Sequence, residues 1–350
     1  MQTPLIFDGH NDVLSRLYER SCAGKASDFV TGGEGHIDLP KANRGGFAGG
    51  FFAVFVPPQN EFGDILSKMR EPLYDLALPS MVPFAEANRI AWAQVRTLVE
   101  LEKGGALRIC TDVESIRSCM TSGKIAAILH MEGAEAIDPE FAALDEFYEA
   151  GLRSLGPVWS RPTVFGEGVP FCFPSGPDTG GGLTEIGKRL IKKCNEMQIL
   201  VDTSHLTEAG FWDVAAITDA PIVATHSNVH AISPHSRNLT DKQLAAIAES
   251  DGVVGLNFAT ALIREDGRML DDVPVSAMIR HLEHMLTILG EDGVSLGSDF
   301  DGAVVPQLVG DASCLGILRQ AMIDHGFGKA LVKKICYQNW MGLLKKTWAR

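Results

Sequence analysis

Eight short apolar runs, separated by longer stretches with helical spacing, constrain this 350-residue chain more than any other feature. The runs are 5–8, 50–56, 125–130, 153–158, 199–202, 222–225, 253–257 and 294–298. Helical patterns fill 76–102, 112–121, 139–150, 184–197, 208–217, 241–249 and 275–289, and a last pair, 312–324 and 329–348, closes the chain. A run too short for a helix, set between amphipathic segments, reads as a buried strand of a parallel sheet. Eight βα units predict an α/β fold, a TIM-type (β/α)8 barrel formed by residues 1–350 as one domain. The surplus length falls into two insertions, about 57–83 after strand two and 160–182 after strand four. The second is dense in Gly and Pro, as lids and binding loops are.

Composition narrows the partners. The formal charge of −13 argues against nucleic acid and anionic membrane surfaces, which attract clustered Lys and Arg. No segment approaches the ~20 apolar residues of a membrane span. The start of the chain carries no basic region of a secretory signal, so the expected location is cytoplasmic. Seven scattered cysteines, none in a C-x-x-C pair, point to reduced packing residues and away from a thiolate zinc site.

In barrels of this kind the chemistry sits at the C-terminal ends of the strands. There the sequence places His10 and Asp12 after strand one, Glu132 after strand three, His205 after strand five, His226 after strand six and Asp299 after strand eight. His10 and Asp12, two apart, would point to the same side of an extended strand. Three imidazoles and three carboxylates exceed the three protein ligands of one catalytic zinc. Two metals sharing a carboxylate would use the set more fully, acidifying a water and polarising a carbonyl while the spare carboxylate carries protons. A dimetal hydrolase is therefore expected.

Other features read as structure. His281 and His284 lack the spacing of a zincin helix, and Gly182 to Lys188 imitates a phosphate loop but is followed by Arg189 where Ser or Thr is required. Thr184 is a helix N-cap instead. Asp8 is expected behind the ligands, His130 in a structural role, and Phe165, Phe171 and Phe173 either in a substrate wall or on the barrel rim.

The segments Asp8-Gly9-His10-Asn11-Asp12, Met131-Glu132-Gly133, those around His205 and His226, Ser236-Arg237-Asn238 and Gly297-Ser298-Asp299-Phe300-Asp301-Gly302 together resemble the membrane (renal) dipeptidase family of zinc peptidases, in order along nearly the whole chain. The resemblance implies two Zn2+ ions, one held by His10 and Asp12 and one by His205 and His226, with Glu132 bridging them. It also implies hydrolysis of dipeptides, including those with a C-terminal D-residue, by a hydroxide between the zincs. Asp299 would be the acid/base, Arg237 the clamp on the substrate carboxylate, and the barrel is often paired as a homodimer. A planar guanidinium does hold a carboxylate bidentately. The chain departs from the family at Trp159, which stands where a histidine usually contacts substrate near the end of strand four. An indole donates one hydrogen bond and carries no charge, so Arg161, another lid group or the metals would take over that task. Two alternatives stay open: a dimetal barrel hydrolase of another amide, lactone or ester, and an inactive ligand-binding relative.

Overall fold

The computed structural model describes residues 4–25, 27–58 and 62–348. Each of the eight runs forms a strand: β1 (Ile6–Asn11), β2 (Phe47–Phe55), β3 (Ile125–Glu132), β4 (Leu152–Gly156), β5 (Leu200–Val201), β6 (Val223–Ala224), β7 (Val253–Asn257) and β8 (Val294–Gly297). Neighbours from β1 to β5 pair in parallel, as do β6, β7 and β8. Single bridges join the two groups at both seams, Asp202 with Val223 and Asn11 with Phe300. The second seam is tightened by Asp12 N donating to Phe300 O (2.8 Å) and Asp299 N donating to His10 O (3.0 Å). The strands thus follow one another around a ring in chain order, the parallel curled α/β sheet the sequence predicts.

All residues of β1, β2 and β3 are buried, as expected of strands covered by helices on one side and filled within on the other. Phe7, Phe51, Ile128, Leu200, Val223 and Val253 pack together with Trp340 from the last helix. Trp340 donates its indole N–H to Leu296 O (3.0 Å). Gly9 is the residue that permits this approach, because a Cβ there would run into Trp340 and the carbonyls of Thr225 and Leu296.

Helices Glu208–Ile217, Asp241–Glu249 and Val275–Leu289 occupy the stretches their periodicity predicts. The closing helix runs unbroken from Lys329 to Trp348 as expected, widening to a π-helical stretch at Lys334–Gln338. Elsewhere the structure differs from the pattern. The helix expected from residue 76 begins at Phe84, behind Pro79 and Pro83, and runs to Lys103. Helices Val13–Cys22 and Leu39–Gly45 and an edge strand, Leu107–Ile109 beside β3, were not expected. The insertions are not bare loops: the first holds helix Phe62–Lys68, and its strand Tyr74–Asp75 pairs antiparallel with Cys172–Phe173 of the second. Tyr74 Oη also donates to Gly267 O (2.6 Å). Among the described residues, no helix is long and apolar enough to cross a membrane.

Candidate metal centre

Strand ends bring the ligand-type side chains to one buried cluster. His10 lies within β1, which runs three residues further than expected, to Asn11, and Asp12 follows at the N-cap of helix Val13–Cys22. An Asp in that position usually caps the helix, yet its side chain makes no cap hydrogen bond. It turns instead toward His10, with Oδ2 3.4 Å from Nε2. Glu132 ends β3, and its Oε1 lies 3.0 Å from His205 Nε2, 3.4 Å from His226 Nε2 and 3.6 Å from His10 Nε2. The Nε2 atoms of His205 and His226 are 3.1 Å apart. The rings of His10 and His226 stack with centroids 3.9 Å apart. Asp299 joins His10 and Asp12 in a second group whose ligand atoms all fall within 4.8 Å.

The opposite ring nitrogens explain why the Nε2 atoms converge. Ser160 Oγ sits 2.9 Å from His205 Nδ1, and Thr225 Oγ1 sits 2.8 Å from His226 Nδ1. Where Nδ1 gives its proton to such a hydroxyl, Nε2 is left as a lone pair. Electrostatics runs the same way. Burial pushes His205 and His226 well below the usual imidazole range, aided by Arg237 and His10, and pushes Glu132 well above the usual carboxylate range despite His10. Burial also opposes a charge on His10, but Glu132 and Asp12 outweigh it and hold that group at about 10. Neither ring nitrogen of His10 has a hydrogen-bond partner, nor does Asp12 Oδ1. Facing lone pairs, buried acids and unpartnered donors all fit a divalent cation, whose charge stabilises carboxylates and neutral imidazoles together.

The model for the family named membrane dipeptidase, peptidase family M19, matches residues 1–349. The chain belongs to the membrane dipeptidase family. It is a metallo-dipeptidase, with a His, Glu and Asp cluster able to bind metal. A metallopeptidase from Rhodobacter sphaeroides, solved with a phosphinate mimic of the dipeptide L-Ala-D-Ala, is 49% identical, with a TM-score of 0.96 and 99% of this chain and 100% of that one covered. A dipeptidase structure assigned to the same family is also 49% identical, with a TM-score of 0.96 and full coverage of both chains. An uncharacterized protein encoded in the pqqA 5′ region of Klebsiella pneumoniae is 43% identical over 261 residues, 74% of this chain and 96% of its own.

The remaining expected site residues divide. Arg237 lines the cleft beside Glu132 and His205; its Nη1 donates to Ser204 O, its Nη2 lies 3.1 Å from His205 Nε2, and burial lowers it to about 10. Asp299 also lines the cleft, with Oδ2 accepting from Asn257 Nδ2 at 3.0 Å, and burial raises its carboxyl. Asp301, its neighbour in the same turn, is held by Arg16 (3.2 Å). Trp159 lines the cleft with Phe55 and Phe171, its ring centroid 6.0 Å from His205.

Arg161, expected among the substrate groups, lies outside the cleft wall. Its guanidinium is fully buried, donates twice to Glu135 Oε1 (2.9 and 2.7 Å) and once to Val56 O (2.8 Å), and so ties the two insertions' roots to the barrel. The lid phenylalanines split likewise: Phe171 lines the cleft, whereas Phe165 is buried against Phe141 and Phe173 packs on Tyr74. Asp8 accepts from Ser298 N and Oγ (2.6 and 2.8 Å), and burial lifts it to about 7. Ser160, Ser204, Thr225 and Asn257 escaped the sequence reading. Ser204 and Thr225 each directly precede a cluster histidine, which was the available signal.

Proposed function

We propose that this chain is a dizinc dipeptidase in which His10 and Asp12 hold one ion, His205 and His226 the other, and Glu132 bridges both. The reading is carried by Glu132, whose single Oε1 stands within 3.6 Å of three imidazole Nε2 atoms drawn from three separate strand ends. Zinc ions at such a donor set acidify water and polarise a carbonyl. Everything else is the work of the chain. Arg237 is a cation of the cleft wall with no carboxylate in salt-bridge contact among the described residues, whereas Arg16 is matched by Asp28 and Asp301. Arg237 therefore receives the substrate's C-terminal carboxylate and fixes the peptide's register. Asn257 occupies one oxygen of Asp299 and leaves the other to carry a proton to the departing amine. Phe55, Trp159 and Phe171 face the substrate with apolar surface.

Substrates with a D-residue at the C-terminus are favoured by the likeness to the Rhodobacter sphaeroides enzyme seen with a mimic of L-Ala-D-Ala. The test is a panel of L-L and L-D dipeptides with free and amidated C-termini, assayed with and without a chelator alongside metal analysis. Two zinc equivalents and chelator-sensitive turnover of free dipeptides are expected. Arg237→Ala should weaken free-carboxylate substrates by roughly 100-fold, the scale of a lost charge-assisted contact. Equal losses on amidated substrates would contradict the clamp.

A further inference from the structure

Asp202 lies outside the cleft wall, is 3% exposed and accepts four hydrogen bonds beside the cluster. Its Oδ2 accepts from Thr225 Oγ1 at 2.6 Å. Its Oδ1 accepts from Ser204 Oγ (2.6 Å), Ser204 N (3.1 Å) and Thr225 N (2.9 Å). Ser204 Oγ accepts in turn from His226 N (3.1 Å), and Ser204 O receives Arg237 Nη1. Direct contact between Asp202 and the His226 ring is absent at bonding range, Oδ2 standing 3.9 Å from Nδ1.

The hydroxyl of Thr225 resolves the direction of this chain. A carboxylate only accepts hydrogen bonds and a hydroxyl has one proton to give. That proton goes to Asp202, so at 2.8 Å the same oxygen must accept from His226 Nδ1–H. Nδ1 carrying the proton leaves Nε2 as the free lone pair, aimed at Glu132 and His205. We propose that Asp202 is the positioning residue of the centre: through the Thr225 hydroxyl it fixes the tautomer and orientation of His226, and through Ser204 it fixes the backbone that carries His205 and anchors Arg237. The inference rests on the reading of His205 and His226 as metal ligands. It assigns to a carboxylate–hydroxyl–imidazole relay the task that a direct carboxylate–imidazole contact performs in other metal sites.

The test uses the full chain, stripped with a chelator and titrated with Zn2+ against a competing chelator, with Co2+ absorption as a spectroscopic readout. Thr225→Val keeps shape and removes the relay, Thr225→Ser restores it, and Asp202→Asn alters its far end. Thr225→Val and Asp202→Asn should bind one of two ions about 10- to 100-fold more weakly, with an altered Co2+ spectrum, turnover recovering in excess zinc, and metal-free melting of Thr225→Val close to that of the parent. Thr225→Ser should match the parent. The proposal is overturned if Thr225→Val binds both ions with parental affinity, or if Thr225→Ser is weakened as much as Thr225→Val. A parent protein that takes up no ion would instead overturn the ligand reading itself.

Discussion

Gly302 decides how closely the turn after β8 approaches the centre. A Cβ at this position would collide with Asp12 Oδ2 and crowd Asp299 Oδ1, so the residue is a matter of space and not of conformation. Its neighbours bear the conformational strain: Asp299 and Asp301 hold φ of 59° and 69°, a region that non-glycine residues seldom adopt. Asp301 is kept there by Arg16 and by His36 N, which donates to Oδ1 at 2.6 Å. Gly302→Ala should therefore push Asp12 off His10, lowering metal affinity and turnover at least tenfold while the melting temperature of the metal-free protein moves little. A variant with parental zinc affinity would show that Asp12 is not a ligand. At this scale the sequence was legible in setting His10, Glu132, His205 and His226 at strand ends, where the structure brings them together. Arg161 was illegible because its role depends on Glu135, 26 residues earlier, and no local pattern announces that pairing.

Among the elements, helices were read most accurately where their ends carry local signals. Thr207 and Thr240 each cap the helix they precede, Thr240 in a full capping box with Gln243. Helix Val13–Cys22 buries Val13, Leu14 and Leu17 on one side and turns Arg16 and Glu19 to the cleft; it escaped because assigning Asp12 to the end of strand one hides the N-cap that begins it. Helix Val275–Leu289 shows the converse, a polar residue spent on architecture. His281 Nδ1 accepts from Val229 N (3.2 Å), and its Nε2 stands 3.0 Å from Ile263 O, joining the segment after β6 to the short helix Thr260–Ile263 after β7. Burial lowers this imidazole from 6.5 to about 4. The native state therefore binds fewer protons than the unfolded chain between those values; its contribution is complete above pH 6.5 and is lost as pH falls toward 4. His281→Gln preserves a donor and an acceptor without titrating. Denaturant melts of both proteins should show the variant gaining relative stability on the order of 3 kcal/mol between pH 6.5 and 4, and a gap that stays constant with pH would refute the assignment.

The molecule as a whole is a ring with unequal joints. β2 and β3 pair over seven registered positions of backbone ladder, whereas β5 meets β6 through the single bridge from Asp202 to Val223, through Thr203 N (2.8 Å) and the Thr203 hydroxyl donating to Val223 O, and otherwise through the side chains of Asp202 and Ser204, which accept from Thr225 and from His226 N. His205 follows β5 and His226 follows β6, so the side chains proposed to share one zinc stand on opposite sides of the joint with the shortest backbone ladder. A ligand that binds only the folded form stabilises it by RT ln(1 + [L]/Kd), ~2.7 kcal/mol at a hundredfold excess over Kd, and the gain is felt most where local opening must break the ligand's contacts. Zinc should therefore clip the β5–β6 joint more than the rest of the ring. Hydrogen exchange of the metal-free and zinc-loaded protein should show added protection concentrated in 200–206 and 223–227, with little change in 49–55 and 126–131, where the ladder already holds. Protection that rose evenly around all eight strands would mean that the metal stabilises the barrel without bridging that seam, and His205 and His226 would then have to serve separate ions.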